Sequence, residues 1–244
     1  MNKECISVII PLLNEAESLI ELYNQLKNSL GKMTENYEII FINDGSRDNS
    51  DLILDELSRN DAKVKVISFY RNNGKSAAYT VGFKAAKGDV FFTLDADLQD
   101  IPSEMNKLLN PILNGFDLAI GWKQNRINNE PLKKIPSYIY NYFKYLLFGL
   151  KLHDSNSGFR CMKREVALSL SLYGDRYRFI PEFTHLAGFK VVEIPTLHQA
   201  RKFGKSKYSG ARFLRGLLDL IGVRYLSYYA NNPLQFFGSI ALFL

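Results

Sequence analysis

The sequence predicts an α/β fold built on a mainly parallel sheet flanked by helices, and three observations point there. Short buried-strand runs alternate with helix-period segments through the first half of the chain. Polar turns such as Asn43-Asp44-Gly45-Ser46 separate them. The fourth run, Val90–Leu94, ends in two carboxylates one residue apart, Asp95 and Asp97. A strand–helix order repeated in this way implies right-handed crossovers between parallel strands. With 244 residues, 46% of them hydrophobic, the chain can form one large α/β domain or a domain with an appendage.

The elements follow in order. Ile6–Ile10 reads as a buried strand. Asn14 can cap a helix whose Leu19, Leu22, Leu26 and Leu30 form one apolar stripe, with Gly31 at its end. Tyr37–Ile42 is the second strand, a helix follows from about Ser50 to Arg59, and Val64–Phe69 is the third strand. After Asn72-Asn73-Gly74 comes a helix of small residues, including Ala77, Ala78, Gly82, Ala85 and Ala86, which suits close packing. A helix from Pro102 to about Asn114 and strands at Phe116–Trp122 and Phe159–Met162 complete the readable part. Lys123–Pro136 is a long polar loop. Tyr138–Leu150 is too aromatic around its circumference for a simple surface helix, so it belongs in a core or against lipid.

Charge is unevenly spread. Residues 1–60 hold five Lys/Arg against eleven Asp/Glu, while 201–224 hold seven Lys/Arg against Asp219 alone. The acidic half would repel a nucleic-acid backbone, which argues against that partner. A basic block beside aromatics suits phosphates at a membrane surface instead. Phe213, Leu214, Leu217, Leu218, Ile221 and Tyr225 recur at helical spacing, with Arg212 and Arg215 on another face, as in a helix lying in the interface. The apolar tail after Pro233 is shorter than the roughly 20 residues of a spanning helix and reads as the start of one. The expected divisions are a catalytic domain over 1–208, a juxtamembrane amphipathic segment over 209–232 and a partial transmembrane helix over 233–244. Cys5 and Cys161 match no metal-ligand spacing and argue for a reducing compartment.

An unpaired charge is costly to bury, so Asp95 and Asp97 should sit where their strand meets solvent or a cation. Ligands bind at the carboxyl ends of strands in open α/β sheets, and close hard oxygens suit Mg²⁺ or Mn²⁺. For an isolated Asp-x-Asp a solvated acidic turn is the better explanation, and it is the rest of the chain that favours the cation site. Arg71 and Lys75 lie near a strand end and suit phosphate or a solvated loop. Asp154 with Gly158 and Arg160 can bring an acid and a phosphate-binding fork to one site, or form a capped loop into a strand.

Taken together, Ser7–Glu15, Ile42–Asp48, Leu94–Asp100, Asp154 with Gly158-Phe159-Arg160, and Arg201 with Gly204-Lys205-Ser206-Lys207-Tyr208 resemble glycosyltransferase family 2. More narrowly, they resemble the dolichyl- and undecaprenyl-phosphate sugar synthases. The resemblance implies a GT-A (Rossmann-like) fold and a metal-dependent, inverting glycosyltransferase. Its donor would be a UDP- or GDP-linked sugar and its acceptor a polyprenyl phosphate. By motif, Pro11, Leu13 and Glu15 would line the nucleoside end and Asp44 would reach the base or ribose. Asp95, Ala96 and Asp97 would take the diphosphate, with Asp95 and Asp97 holding Mg²⁺ or Mn²⁺. Beside this, Gln99 can reach the sugar or a metal-bound water, or stand as a surface residue at a helix start. Asp95, Asp97 and Asp154 are the catalytic candidates. Arg160, Arg201, Lys205 and Lys207 are those for the acceptor phosphate. Asn43 stands where the commoner pattern has Asp, and no role is assigned to it.

The implied location is the cell membrane with the catalytic domain cytoplasmic; the oligomeric state stays open, a homo-oligomer included. Two rivals remain. One is a transferase that extends a glycan hydroxyl with Asp154 as base. The other is a membrane-tethered homologue that binds nucleotide-sugar without catalysis.

Overall fold

The computed structural model describes residues 4–123, 142–199, 220, 222–225, 234, 238 and 241. The chain divides into two compact units, Met1–Glu130 with His153–Gly204, and Pro131–Leu152 with Lys205–Leu244.

The first unit begins β1 (Ile6–Leu12), α1 (Ala16–Met33), β2 (Tyr37–Asn43), α2 (Ser50–Asn60), β3 (Val64–Ser68), α3 (Lys75–Ala85) and β4 (Val90–Thr93). It continues with a 3-10 turn at Pro102–Glu104, α4 (Met105–Leu113), β5 (Leu118–Lys123), β6 (Arg160–Lys163) and α5 (Arg164–Ser169). A second 3-10 turn at Arg176–Phe179 leads to α6 (Ile180–Leu186) and β7 (Val191–Thr196).

Every residue of β1, β2 and β4 is buried, as continuous apolar runs in the middle of a parallel sheet require. The strand order is β3-β2-β1-β4-β6-β5-β7. Pairing is parallel except at β6, which runs antiparallel to both β4 and β5. The expected mainly parallel sheet is therefore present with one reversed strand. Alternate residues feed two apolar layers. Val8, Ile10 and Phe41 pack with Leu22 of α1, Leu54 of α2 and Leu108 of α4. Ile9, Ile40 and Phe91 pack with Tyr79 of α3, Val166 of α5 and Ile180 of α6.

Two local expectations are refined. Helix α1 passes through Gly31 and stops at Thr34, whose backbone is extended. A helical glycine costs about 1 kcal/mol relative to alanine, too little to end a helix held by a buried leucine stripe. The small residues of α3 serve close packing: a Cβ at Gly82 would lie 2.5 Å from Ile9 Cγ2. Only Gly lets α3 approach β1 this closely.

In the second unit, residues 142–148 are helical. Tyr142, Phe143, Tyr145 and Leu146 are exposed while Lys144 and Phe148 are buried. The Arg224 guanidinium donates to the Leu147 carbonyl at 2.7 Å. Most of the expected Lys123–Pro136 loop, the 209–232 amphipathic segment and the apolar tail lie outside the described residues. Among the described residues, no helix is long and apolar enough to cross a membrane.

Candidate active site at the carboxyl edge of the sheet

Strand β1 sits between β2 and β4: the chain winds outward from β1 through β2 to β3, then crosses back to add β4 on the other side of β1. A crevice opens at such a reversal, outside the carboxyl ends of the strands. The antiparallel β6 adds its amino end to the same edge, because Arg160 pairs with Thr93 of β4 and Ile120 of β5.

The chain leaving β1 carries Pro11, buried, then Leu13 and Glu15, both half-buried. Asn14 between them adopts φ 56°, a left-handed backbone that Asn tolerates better than most residues. Side chains lock this turn to the one after β2. Arg47 N–H donates to Asn14 Oδ1 at 2.7 Å, and Asn14 N–H donates to Ser46 Oγ at 2.9 Å. Asn43 accepts the Ser46 N–H at 2.9 Å and donates to Asp51, so its amide organises the turn. Asp44 is buried, and its two carboxylate oxygens accept the N–H groups of Asn73 and Gly74 at 2.7 and 3.0 Å. It therefore fixes the start of α3, whose first residue is Lys75.

Lys75 forms an ion pair with Asp95, just beyond β4. Its ammonium also lies over the rings of Tyr79 and Tyr177, 5.7 and 5.3 Å from their centroids. Burial opposes ionisation of Asp95, but Lys75, Lys123 and Arg160 outweigh it and hold the carboxyl below its ordinary range. Lys123, at the end of β5, is buried and bonded to Asp100 at 3.1 Å. Burial alone would lower its pKa, yet Asp100, Asp95 and Asp154 raise it. The Asp95 side chain keeps 35% exposure, and Asp97 is buried with Oδ1 accepting the Gln99 N–H at 3.2 Å. Between them and Gln99, Ala96 is buried and Leu98 adopts φ 59°, a strained backbone of the kind that gathers at functional turns.

The Asp95 carboxylate is also walled by Gly158, where a Cβ would lie 2.8 Å from Asp95 Oδ1. Thr93 Oγ1 donates to the Gly158 carbonyl at 2.7 Å and holds that wall in place. Asp154 is half-buried upstream in the same loop. Arg160 is 1% exposed. One of its terminal nitrogens reaches the Tyr177 carbonyl at 3.4 Å, while Nε and the other have no hydrogen-bond partner among the described residues. Arg71 is exposed at the neighbouring loop.

The chain approaching Arg201 is pinned beside this edge. Asp100 bridges to His198, Gln199 N–H donates to the Gln99 carbonyl at 3.0 Å, and Leu197 N–H donates to Glu104 at 3.3 Å. Arg201, Lys205 and Lys207 themselves lie outside the described residues. Sequence reasoning passed over Lys123, Trp122, His153 and Glu193. Only Glu193 left a trace, as a charge inside the apolar run Val191–Thr196.

Residues 7–170 match the profile of glycosyl transferase family 2. The chain belongs to that family. It is 30% identical over 241 residues to a dodecaprenyl-phosphate galacturonate synthase of Rhizobium johnstonii, covering 97% of this chain and 71% of that protein. It is 34% identical over 218 residues to an undecaprenyl-phosphate 4-deoxy-4-formamido-L-arabinose transferase of Pseudomonas fluorescens, covering 89% of this chain. The chain spans 64% of that relative, just under two thirds of its length. The fold also recurs in solved structures. A mannosyl-3-phosphoglycerate synthase from Rubrobacter xylanophilus superposes with TM-score 0.70 at 16% identity, covering 91% of this chain and 74% of that one. A glucosyl-3-phosphoglycerate synthase from Mycobacterium tuberculosis, crystallised with Mn²⁺ and UDP-glucose, gives 0.69 at 17%, covering 91% and 79%. At such identity these two speak for the GT-A-like fold alone. The family and the narrower resemblance read from the motifs agree with the two named relatives.

Proposed function

We propose that this family-2 glycosyltransferase moves a sugar from a nucleoside diphosphate sugar, UDP- or GDP-linked, to a polyprenyl phosphate, with inversion at the anomeric carbon. The observation that carries the reading is the pair of lysine ammoniums around Asp95 at the carboxyl edge, Lys75 and Lys123. A diphosphate leaving group gains negative charge as its bond to the sugar breaks, and fixed cations in a sheltered crevice stabilise it without reorganising. Both relatives named above carry a polyprenyl phosphate in their names.

Asp95 and Asp97 are assigned to a divalent cation, Mg²⁺ or Mn²⁺. The fit rests on an ionised, partly exposed Asp95, whose carboxylate packs so closely on Gly158 that a Cβ there would lie 2.8 Å from Oδ1. Among the described residues no group of three or more His, Cys, Asp or Glu could cage a metal. A cation here would complete its coordination with phosphate oxygens and water, as Mg²⁺ usually does. When bound, it supplies Lewis-acid stabilisation of the leaving diphosphate.

The remaining roles belong to the chain. Pro11, Leu13 and Glu15 line the nucleoside end, and Asp44 supports it through the 73–74 loop. Ala96 lies along the diphosphate and Gln99 faces the sugar. A phosphate acceptor is ionised near neutral pH, so its oxygen forms the new bond to the anomeric carbon as the bond to the diphosphate breaks. Asp154 then orients rather than deprotonates. Arg160, Arg201, Lys205 and Lys207 are assigned to the acceptor phosphate. The exposed aromatics of residues 142–148 and the basic, apolar C-terminal sequence support placement on the cytoplasmic face of a membrane.

The test is direct. Asp95→Asn and Asp97→Asn should each lose most transfer while keeping the wild-type circular dichroism spectrum. A chelator should abolish wild-type transfer, and Mg²⁺ or Mn²⁺ should restore it. Full turnover in chelator would remove the metal from this account.

A further inference from the structure

We propose that Glu193, in the middle of β7, is the positioning residue of Asp154 and acts on transfer through that carboxylate. The inference rests on the transfer reading above. It starts from a residue that the sheet does not require: Val192 and Ile194 on either side pack against the apolar cluster, while Glu193 places a carboxylate on an edge strand. Its side chain is only 10% exposed, so its oxygens need partners.

They find them in two consecutive residues of one loop. Glu193 Oε1 accepts the Asp154 N–H at 2.7 Å, and Oε2 accepts the His153 N–H at 3.0 Å. Oε2 also lies 2.7 Å from His153 Nδ1. The His153 ring in turn stacks on Trp122 of β5, with centroids 4.2 Å apart and planes 16° apart. Thus the loop is held from β7 by an acceptor-only side chain and from β5 by an aromatic face. Beyond it, the Asp154 carbonyl accepts the Ser157 N–H at 3.4 Å, and Gly158 lies against Asp95. Lys123, next to Trp122, is close enough to both Asp154 and Asp95 to feel their charges. Glu193 therefore sets where Asp154 stands relative to the donor site without touching that site itself. A displacement of about 1 Å in such a group can cost on the order of 100-fold in rate.

Glu193→Gln tests this with little change of volume. The amide keeps one acceptor oxygen and turns an NH₂ group toward donors that need an acceptor. Because the chain has one tryptophan, its fluorescence reports the His153 stack without any turnover. In full-length protein supplied with nucleotide-sugar and polyprenyl phosphate, E193Q should lower kcat at least about tenfold and leave the donor KM within about twofold. It should also shift the Trp122 emission. In an Asp154→Asn background E193Q should cost nothing further, because the residue it positions is already lost. Glu193→Asp keeps the charge but shortens the reach and should fall between wild type and Gln; it carries the same tests if E193Q does not fold. A wild-type kcat in E193Q, or a loss that multiplies with D154N, overturns the proposal. Wild-type protein that makes no lipid-linked sugar overturns the transfer reading and this inference with it, so the two failures are distinct.

Discussion

Asp44 and Asp100 do structural work that their positions in acidic motifs conceal. Asp44 satisfies the N–H groups of Asn73 and Gly74, so Asp44→Ala should strand both donors in a closed turn. The expected loss is about 1–3 kcal/mol, read from urea unfolding, together with weaker nucleotide-sugar binding as the start of α3 loosens. Asp100 is 3% exposed and its pair Lys123 about as enclosed, at 10%. Breaking a buried pair from one side costs more than removing both charges. Lys123→Met alone should therefore destabilise by about 3–5 kcal/mol, and adding Asp100→Asn should recover much of it. Equal stability of the single and double variants would show that the pair is solvated. The acids at Asp95 and Asp97 were legible because a short apolar run ended in them. Lys123, His153 and Glu193 were not, since each meets its partner across a long stretch of sequence and no local pattern marks the meeting.

At the scale of elements, the junction of α3 with β1 is the most constrained. Replacing a helical glycine with alanine normally stabilises by about 1 kcal/mol. At Gly82 the added Cβ would lie 2.5 Å from Ile9 Cγ2, and forcing such an overlap costs about 1–3 kcal/mol. Gly82→Ala should therefore lower the thermal midpoint despite its better helix propensity, whereas Gly31→Ala, which faces open space, should raise it. The first four strands and helices could be read from sequence because they are long or uniformly apolar and their periods are clear. Helices α5 and α6 span only six and seven residues, too short for a helical period to declare itself. Strand β7 contains Pro195, which is tolerated because β7 is an edge. The reversal of β6 has no local signature at all: strand direction is set by pairing, not by composition.

Across the whole molecule, carboxylates held below their ordinary range make stability depend on acid. Burial opposes ionisation of Asp61, but the Lys63 N–H, the Tyr23 hydroxyl and Lys27 lower its pKa to about 2. Glu38 is lowered against burial by Lys65, Ser7 and Lys87, and Asp117 against burial by Lys163 and Lys190. A carboxyl with a depressed folded pKa contributes fully above its unfolded value, near 4, and loses that contribution as pH falls through the folded one. Unfolding midpoints in urea should thus hold steady from about pH 7 to 5 and fall steeply from about pH 4 toward 2. Asp61→Asn should flatten part of that fall.

Sugar transfer to a lipid phosphate is the claim on which the functional account turns. Its most direct measurement supplies the full-length protein in vesicles with UDP- and GDP-sugars and either undecaprenyl phosphate or undecaprenol, and identifies the lipid product by mass spectrometry. The account predicts a sugar joined to the lipid through one phosphate, formed from undecaprenyl phosphate and absent with undecaprenol. Transfer to a hydroxyl acceptor, with undecaprenyl phosphate left unchanged, would contradict it.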